Sequence, residues 1–163
     1  MDEIIKKIED YVKIDNALNS TTLSAFWIKD KEFKFLRYNQ AMLSLLYPGA
    51  KGNDLIGMTD YEYAKKKGLS EEIVERIKTC CSMSDRYILE SPRQEAKFFE
   101  RVCDGERTFW LFTTKSRIPP TSNKETCIGL FGTATLFPNA DKIIESNILK
   151  LEKLSDSCYV MEE

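Results

Sequence analysis

Histidine is missing from all 163 residues, which removes the usual general base, the commonest metal ligand and the usual haem ligand together. The five cysteines (Cys80, Cys81, Cys103, Cys127 and Cys158) are odd in number and show no Cys-x-x-Cys spacing. They read as reduced core thiols, not as a disulfide framework or a zinc site. Neither sign of charge is in excess: 24 Lys and Arg stand against 26 Asp and Glu, a formal net charge of -2. Direct nucleic-acid binding needs a concentrated basic face and is not expected. Long apolar runs are absent too. The longest uncharged stretches, 16–28 and 126–140, are interrupted by polar or helix-breaking residues and fall short of the roughly 20 apolar residues of a membrane span. The acid-bearing first ten residues contain no apolar block, so neither a secretory signal nor a transit peptide is read there, and the cytoplasm is the expected compartment. No Gly-x-Gly-x-x-Gly or phosphate loop occurs.

What is present, 42% apolar and 31% charged residues, suits one compact domain with a modest core. Residues 1–20 carry Ile4, Ile5, Ile8, Tyr11 and Val12 at helical spacing, which predicts an amphipathic leading helix. Two short strands, 25–29 and 32–38, follow around an Asp30-Lys31 turn. Asn39 stands at an N-cap position before a short helix that Pro48-Gly49 ends. A helical turn is expected near 58–64. A longer helix opens at Ser70, with Ile73, Val74, Ile77, Cys80 and Cys81 as its buried stripe. Three longer strands cover 94–102, 107–118 and 126–136. Beyond Pro138-Asn139, Ile144, Ile148, Leu151 and Leu154 predict an exit linker helix within 139–163. The central domain is therefore bounded at 21–138.

This order, with a hairpin and three final strands bracketing a helical insertion, resembles the PAS sensor domain, and local phrases carry the likeness. They are Phe26-Trp27-Ile28-Lys29-Asp30, Phe35-Leu36-Arg37-Tyr38-Asn39, Leu55-Ile56-Gly57-Met58-Thr59-Asp60, Asp85-Arg86-Tyr87-Ile88-Leu89, and the pair formed by 110–118 with 128–132. The resemblance implies an α+β fold: a five-stranded antiparallel sheet with a helical insertion between strands 2 and 3, plus flanking N- and C-terminal helices. The family's Asp-Ile-Thr after the last strand is replaced by Leu136-Phe137-Pro138. Where light-sensing flavin members have a reactive cysteine, Asp60 stands here, so no flavin adduct is expected, and the lack of histidine argues against haem.

Strand alternation, anchored on that likeness, turns Trp27, Leu36, Tyr38, Leu111, Thr113, Gly129, Phe131 and Thr133 inward toward Met42, Leu46, Ile73 and Ile77. These twelve residues are the expected lining of a pocket for a small, mostly apolar ligand, unless large rings fill the space. The same alternation puts Phe33, Phe35, Trp110, Phe112 and Leu130 on the outer face. That much apolar surface needs a cover, either the stripe Ile4, Ile8 and Tyr11 or a second copy, which predicts a homodimer. No catalytic or metal-binding residue is expected. Asp60 reads as a helix N-cap, and only Asp60, Lys29 and Lys115 lie near enough to the pocket to be considered as bases. The expected function is a sensor relaying ligand or partner state through the exit helix to an effector. By family analogy that effector is a helix-turn-helix regulator, with a histidine kinase or cyclic-dinucleotide enzyme as runner-up. A ligand-free dimerisation or adaptor module is the alternative.

Overall fold

The computed structural model describes residues 24–104, 106–119 and 127–162. The chain runs β1 (Ala25–Asp30), β2 (Phe35–Tyr38), α1 (Gln40–Leu46), α2 (Asp60–Lys66), α3 (Glu71–Glu90), β3 (Glu95–Cys103), β4 (Thr108–Ile118), β5 (Gly129–Leu136), α4 (Ala140–Glu145), β6 (Leu151–Ser155) and β7 (Cys158–Met161). All seven strands form one sheet in the order β2-β1-β5-β4-β3-β7-β6, and every neighbouring pair is antiparallel. The α+β layout and the helical insertion between strands 2 and 3 are as expected. Among the described residues no helix is long and apolar enough to cross a membrane. The leading helix of residues 1–20, with Ile4, Ile8 and Tyr11, lies outside the described residues.

The C-terminal region differs from the expected linker helix. Only Ala140–Glu145 is helical; Asn147 adopts a left-handed φ of 52°, and the chain returns as a hairpin whose β7 pairs with β3. Two strands therefore join the expected five. The reason is packing: Cys158 and Val160 alternate onto the inner face and are fully buried, a period-2 demand that a helix cannot meet.

Local chemistry sets the first elements. Asp30 Oδ1 accepts from the backbone N–H groups of Glu32 and Lys34, and Phe33 takes φ 63°, so the turn consumes residues 31–34 and β2 starts at Phe35. Asn39 caps α1 as predicted, accepting from Met42 N at 3.0 Å. It also accepts from Phe26 N at 3.1 Å, which ties the helix start to β1. Thr59, not Asp60, is the N-cap of α2, in a full capping box with Glu62. Asp60 is thereby free for another role.

One face of the sheet carries Ala25, Trp27, Phe35, Phe98, Leu111, Leu130, Ala134, Cys158 and Val160 against α1, α2 and α3. The other face holds two clusters. One contains Phe26, Ile28 and Ile118 with Leu36 and Phe131; the other contains Phe99, Trp110 and Phe112 beneath Ala140, Ile143 and Ile144. Trp110 donates from its indole to Asp141 Oδ1 at 2.9 Å, fastening α4 to the outer face.

Two strands contradict the expected alternation. In the β1–β2 ladder the register jumps between Ile28 and Lys29, so that Tyr38 opposes Trp27 while Phe35 opposes Lys29. This irregularity puts Phe35 inside and Leu36 outside, the reverse of the expectation for both. Along β5, Leu130, Gly132 and Ala134 oppose the inward residues Lys29, Trp27 and Ala25, so Gly129, Phe131 and Thr133 do not face the interior. Gly132 fixes that phase, because a Cβ there would lie 2.3 Å from Cε2 of the Trp27 indole. Phe33 packs at the edge of the inner core, not on the outer face.

Candidate functional site

Between the inner face of the sheet and the helices lies a cavity of about 590 Å3, within the size range of small-molecule sites. Its apolar wall is formed by Trp27, Phe35, Met42, Leu46, Ile77 and Leu111. Of the twelve expected lining residues it includes Trp27, Met42, Leu46, Ile77, Leu111 and Thr113. Leu36, Gly129, Phe131 and Thr133 are excluded by the strand phases. Tyr38 faces inward but is spent elsewhere: its hydroxyl donates to Gly52 O at 2.8 Å and accepts from Leu55 N at 3.1 Å. Ile73 does not reach the cavity. The expected buried stripe of α3 is only half-buried because the cavity lies under its N-terminal half; full burial falls on Ser84, Asp85 and Ile88.

An ionic lattice, missed by the sequence reading as a unit, lies against this wall. Asp85 is completely buried and bridges two lysines, accepting from Lys29 Nζ at 2.7 Å and from Lys115 Nζ. Lys29 also donates to Asp60 Oδ2 at 2.5 Å, whose other oxygen accepts from the Tyr47 hydroxyl. Lys115 donates further to Ser84 Oγ at 2.5 Å and, more distantly, to Glu100 Oε1 at 3.4 Å. Thr113 Oγ1 donates to Glu100 Oε2 at 2.6 Å, and Ser84 to Oε1. Five elements (β1, α2, α3, β3 and β4) are joined through this one cluster.

Burial by itself would lower the pKa of Lys29, yet the attraction of Asp60 and Asp85 and their hydrogen bonds outweigh it, and the ammonium is held well above its ordinary value. Lys115 behaves the same way through Asp85 and Glu100. For Asp85 burial opposes ionisation, but Lys115 and Lys29 hold its carboxyl below the usual range. Burial, reinforced by Asp60, pushes the Tyr47 hydroxyl and the Cys81 thiol upward. Cys80, Cys81 and Cys103 border the cavity.

One buried donor is left over. Trp27 is 5% exposed and its Nε1–H has no partner among the described residues, an unusual deficit in a folded protein. Among the described residues no group of His, Cys, Asp and Glu is arranged to hold a metal ion. Sequence alternation did contain the clue to the lattice: Lys29 stands two residues after Trp27, and Lys115 two after Thr113, so both lysines had to face inward and find acids. Asp85 and Glu100 carried no such signal on their own.

The antiparallel sheet and the helical insertion between strands 2 and 3 are those of the PAS fold, and comparison with solved structures agrees. The chain is similar to VqmA bound to DPO, with 19% identity and a TM-score of 0.54 over 76% of this chain and 56% of that one. It is also similar to the PAS domain of Bordetella pertussis BvgS, with 15% identity and a TM-score of 0.54 over 84% of this chain and 93% of that one. A third likeness is to the Vibrio cholerae VqmA dimer in the absence of target DNA, with 17% identity and a TM-score of 0.52 over 91% of this chain and 59% of that one. The chain thus spans little more than half the length of the VqmA chains it resembles. No protein-family profile and no curated protein sequence matches it.

Proposed function

We propose that this chain is a non-enzymatic sensor domain that takes a small, mostly apolar ligand into the cavity and passes its occupancy to an output element. The observation that carries the reading is the cavity of about 590 Å3 walled by an indole whose buried N–H has no partner among the described residues. An acceptor on a bound molecule would remove that deficit. Lys29 and Lys115, two of the three candidate bases, are locked as ammonium ions by their carboxylates, so neither offers a lone pair at neutral pH, which supports sensing over catalysis. Neither haem nor a thiol-linked flavin is assigned, since there is no histidine and Asp60 stands at the adduct position.

A helix-turn-helix regulator is the assigned output and a homodimer the assigned assembly, working in the cytoplasm. This part of the reading draws on VqmA, described as a dimer in the absence of its target DNA. The exposed Leu136 and Ile148 (55% and 76%) offer apolar surface for such a contact. Trp110 and Phe112 do not, because α4 already covers them.

The test is a thermal-shift screen of small apolar metabolites on the wild type and on Ile77→Trp, which fills the cavity from α3. Ligand binding must raise the melting temperature of the wild type, and the effect must vanish in the variant. An equal response in Ile77→Trp, or no response in the wild type with nothing retained in native mass spectrometry, would overturn the reading. Size-exclusion chromatography with light scattering checks for twice the chain mass.

A further inference from the structure

Resting on that reading of the cavity, we propose that its ligand carries a protonated amine, or an equivalent cationic N–H donor, seated on Glu100, with an acceptor within reach of Trp27. The lattice contains two lysines, Lys29 and Lys115, and three acids, Asp60, Asp85 and Glu100. One acid is therefore in excess, and all five side chains are at most 13% exposed. A buried charge without a full counter-ion is costly. Asp85 is shared by both lysines at close range and Asp60 is held by Lys29. Glu100 is the acid left short, with its nearest ammonium at 3.4 Å and the rest of its coordination supplied by the neutral hydroxyls of Thr113 and Ser84.

Geometry gives the surplus a direction. Glu100 and Asp60 line the cavity, whereas Asp85 does not, and a carboxylate can accept more bonds than the three that Glu100 receives. The two arginines at the cavity do not reverse the sign. Arg76 is committed to Glu72 at 2.9 Å and to Cys103 Sγ at 3.2 Å, while Arg101 lies over the Trp110 ring. Asp104 and Asp156, at the same rim, are already paired with Arg107 and Lys153, so the rim charges are met among themselves and the shortfall stays at Glu100. An ammonium on Glu100 would complete the charge balance of the interior. The aromatic and aliphatic wall would take the ligand's body, and Trp27 Nε1–H would donate to a carbonyl or ring-nitrogen acceptor on it.

Phenylalaninamide, which has a ring, an ammonium and a carbonyl, is the probe. 3-Phenylpropanamide lacks only the amine, and 3-phenylpropionate carries the opposite charge. Binding is read by calorimetry near pH 6, where an α-amino group of pKa roughly 7.7 is protonated. The amine is expected to bind the wild type about tenfold or more tighter than the neutral amide, the margin of one charge-assisted hydrogen bond. In Glu100→Gln the preference should fall to within about threefold with the fold intact by circular dichroism; if that variant does not fold, the wild-type series alone decides. Equal or tighter binding of the neutral amide or the carboxylate overturns the cationic class while leaving a ligand-binding cavity in place. Failure of all three probes overturns the class as well, and the cavity then stands or falls by the metabolite screen and native mass spectrometry.

Discussion

The two faces of one sheet are built by opposite rules. On the outer face the rings of Phe99, Phe112 and Phe137 meet one another and Trp110 meets Tyr159, with α4 packed against the cluster, and the one side-chain hydrogen bond from Trp110 ends on Asp141 of that helix. The inner face buries five ionisable side chains and leaves a cavity beside them. Apolar packing alone is the cheaper way to stabilise a fold, since buried ion pairs at best roughly offset their own desolvation. The inner face therefore carries a cost that stability does not require, and the contrast supports the proposal that places the ligand there.

That contrast can be broken by substitution. The largest effect is expected from Asp85→Ala, which strands Lys29 and Lys115 without their shared partner and should cost about 3–5 kcal/mol in urea unfolding. A loss under 1 kcal/mol would mean that water or a rearranged Glu100 replaces it, and that the lattice is not a unit. Gly132→Ala comes next. Its Cβ meets the Trp27 ring at 2.3 Å, so overpacking should cost about 1–3 kcal/mol and shift the Trp27 fluorescence. An unchanged spectrum would contradict the close approach. On the outer face Trp110→Phe removes only the bond to Asp141 and some ring area, worth about 1 kcal/mol, and should leave binding in the cavity unaltered.

The pH dependence sharpens the same comparison. Because the folded-state pKa of Asp85 lies below its ordinary 3.8, its contribution is whole above that value and disappears as the pH falls through the lowered one. Lys29 and Lys115 are raised above 10.5, so their contribution is whole below 10.5 and is lost as the pH climbs through the raised values. Asp85→Asn should flatten the acid limb of the stability curve, whereas Trp110→Phe should lower the curve without changing its shape. Parallel curves for both variants would remove the distinction between the faces.

Much of the fold was legible because local rules and tertiary demand agreed. The Asn39 cap, the long helix after Ser70 and the three long strands all stand near their expected places. The errors fall where one residue changes a phase. Gly-Leu-Phe-Gly-Thr-Ala-Thr-Leu of β5 offers small or apolar side chains at both parities, so alternation could not choose; the Trp27 ring pressing on Gly132 does. At β2 a single extra residue reverses Phe35 and Leu36. In the C-terminal region Ile144, Ile148, Leu151 and Leu154 match a helical stripe, but Ser155-Asp156-Ser157 interrupts it, and Cys158 and Val160 follow at strand spacing. Six of the twelve expected lining residues border the cavity: Leu111 and Thr113 lie on a strand without such a slip, Trp27 precedes the one in the β1–β2 ladder, and Met42, Leu46 and Ile77 come from the helices.

The hairpin at the end of the described chain changes how news of the cavity's contents could travel. Glu100 lies directly across a backbone rung from Cys158, and Arg101 N holds Ser157 O at 2.8 Å, beside the Asp156-Ser157 tip that borders the cavity mouth. If a ligand pulls on the Glu100 carboxylate, as proposed, the last strand stands a single hydrogen-bond step away, with no helix in between.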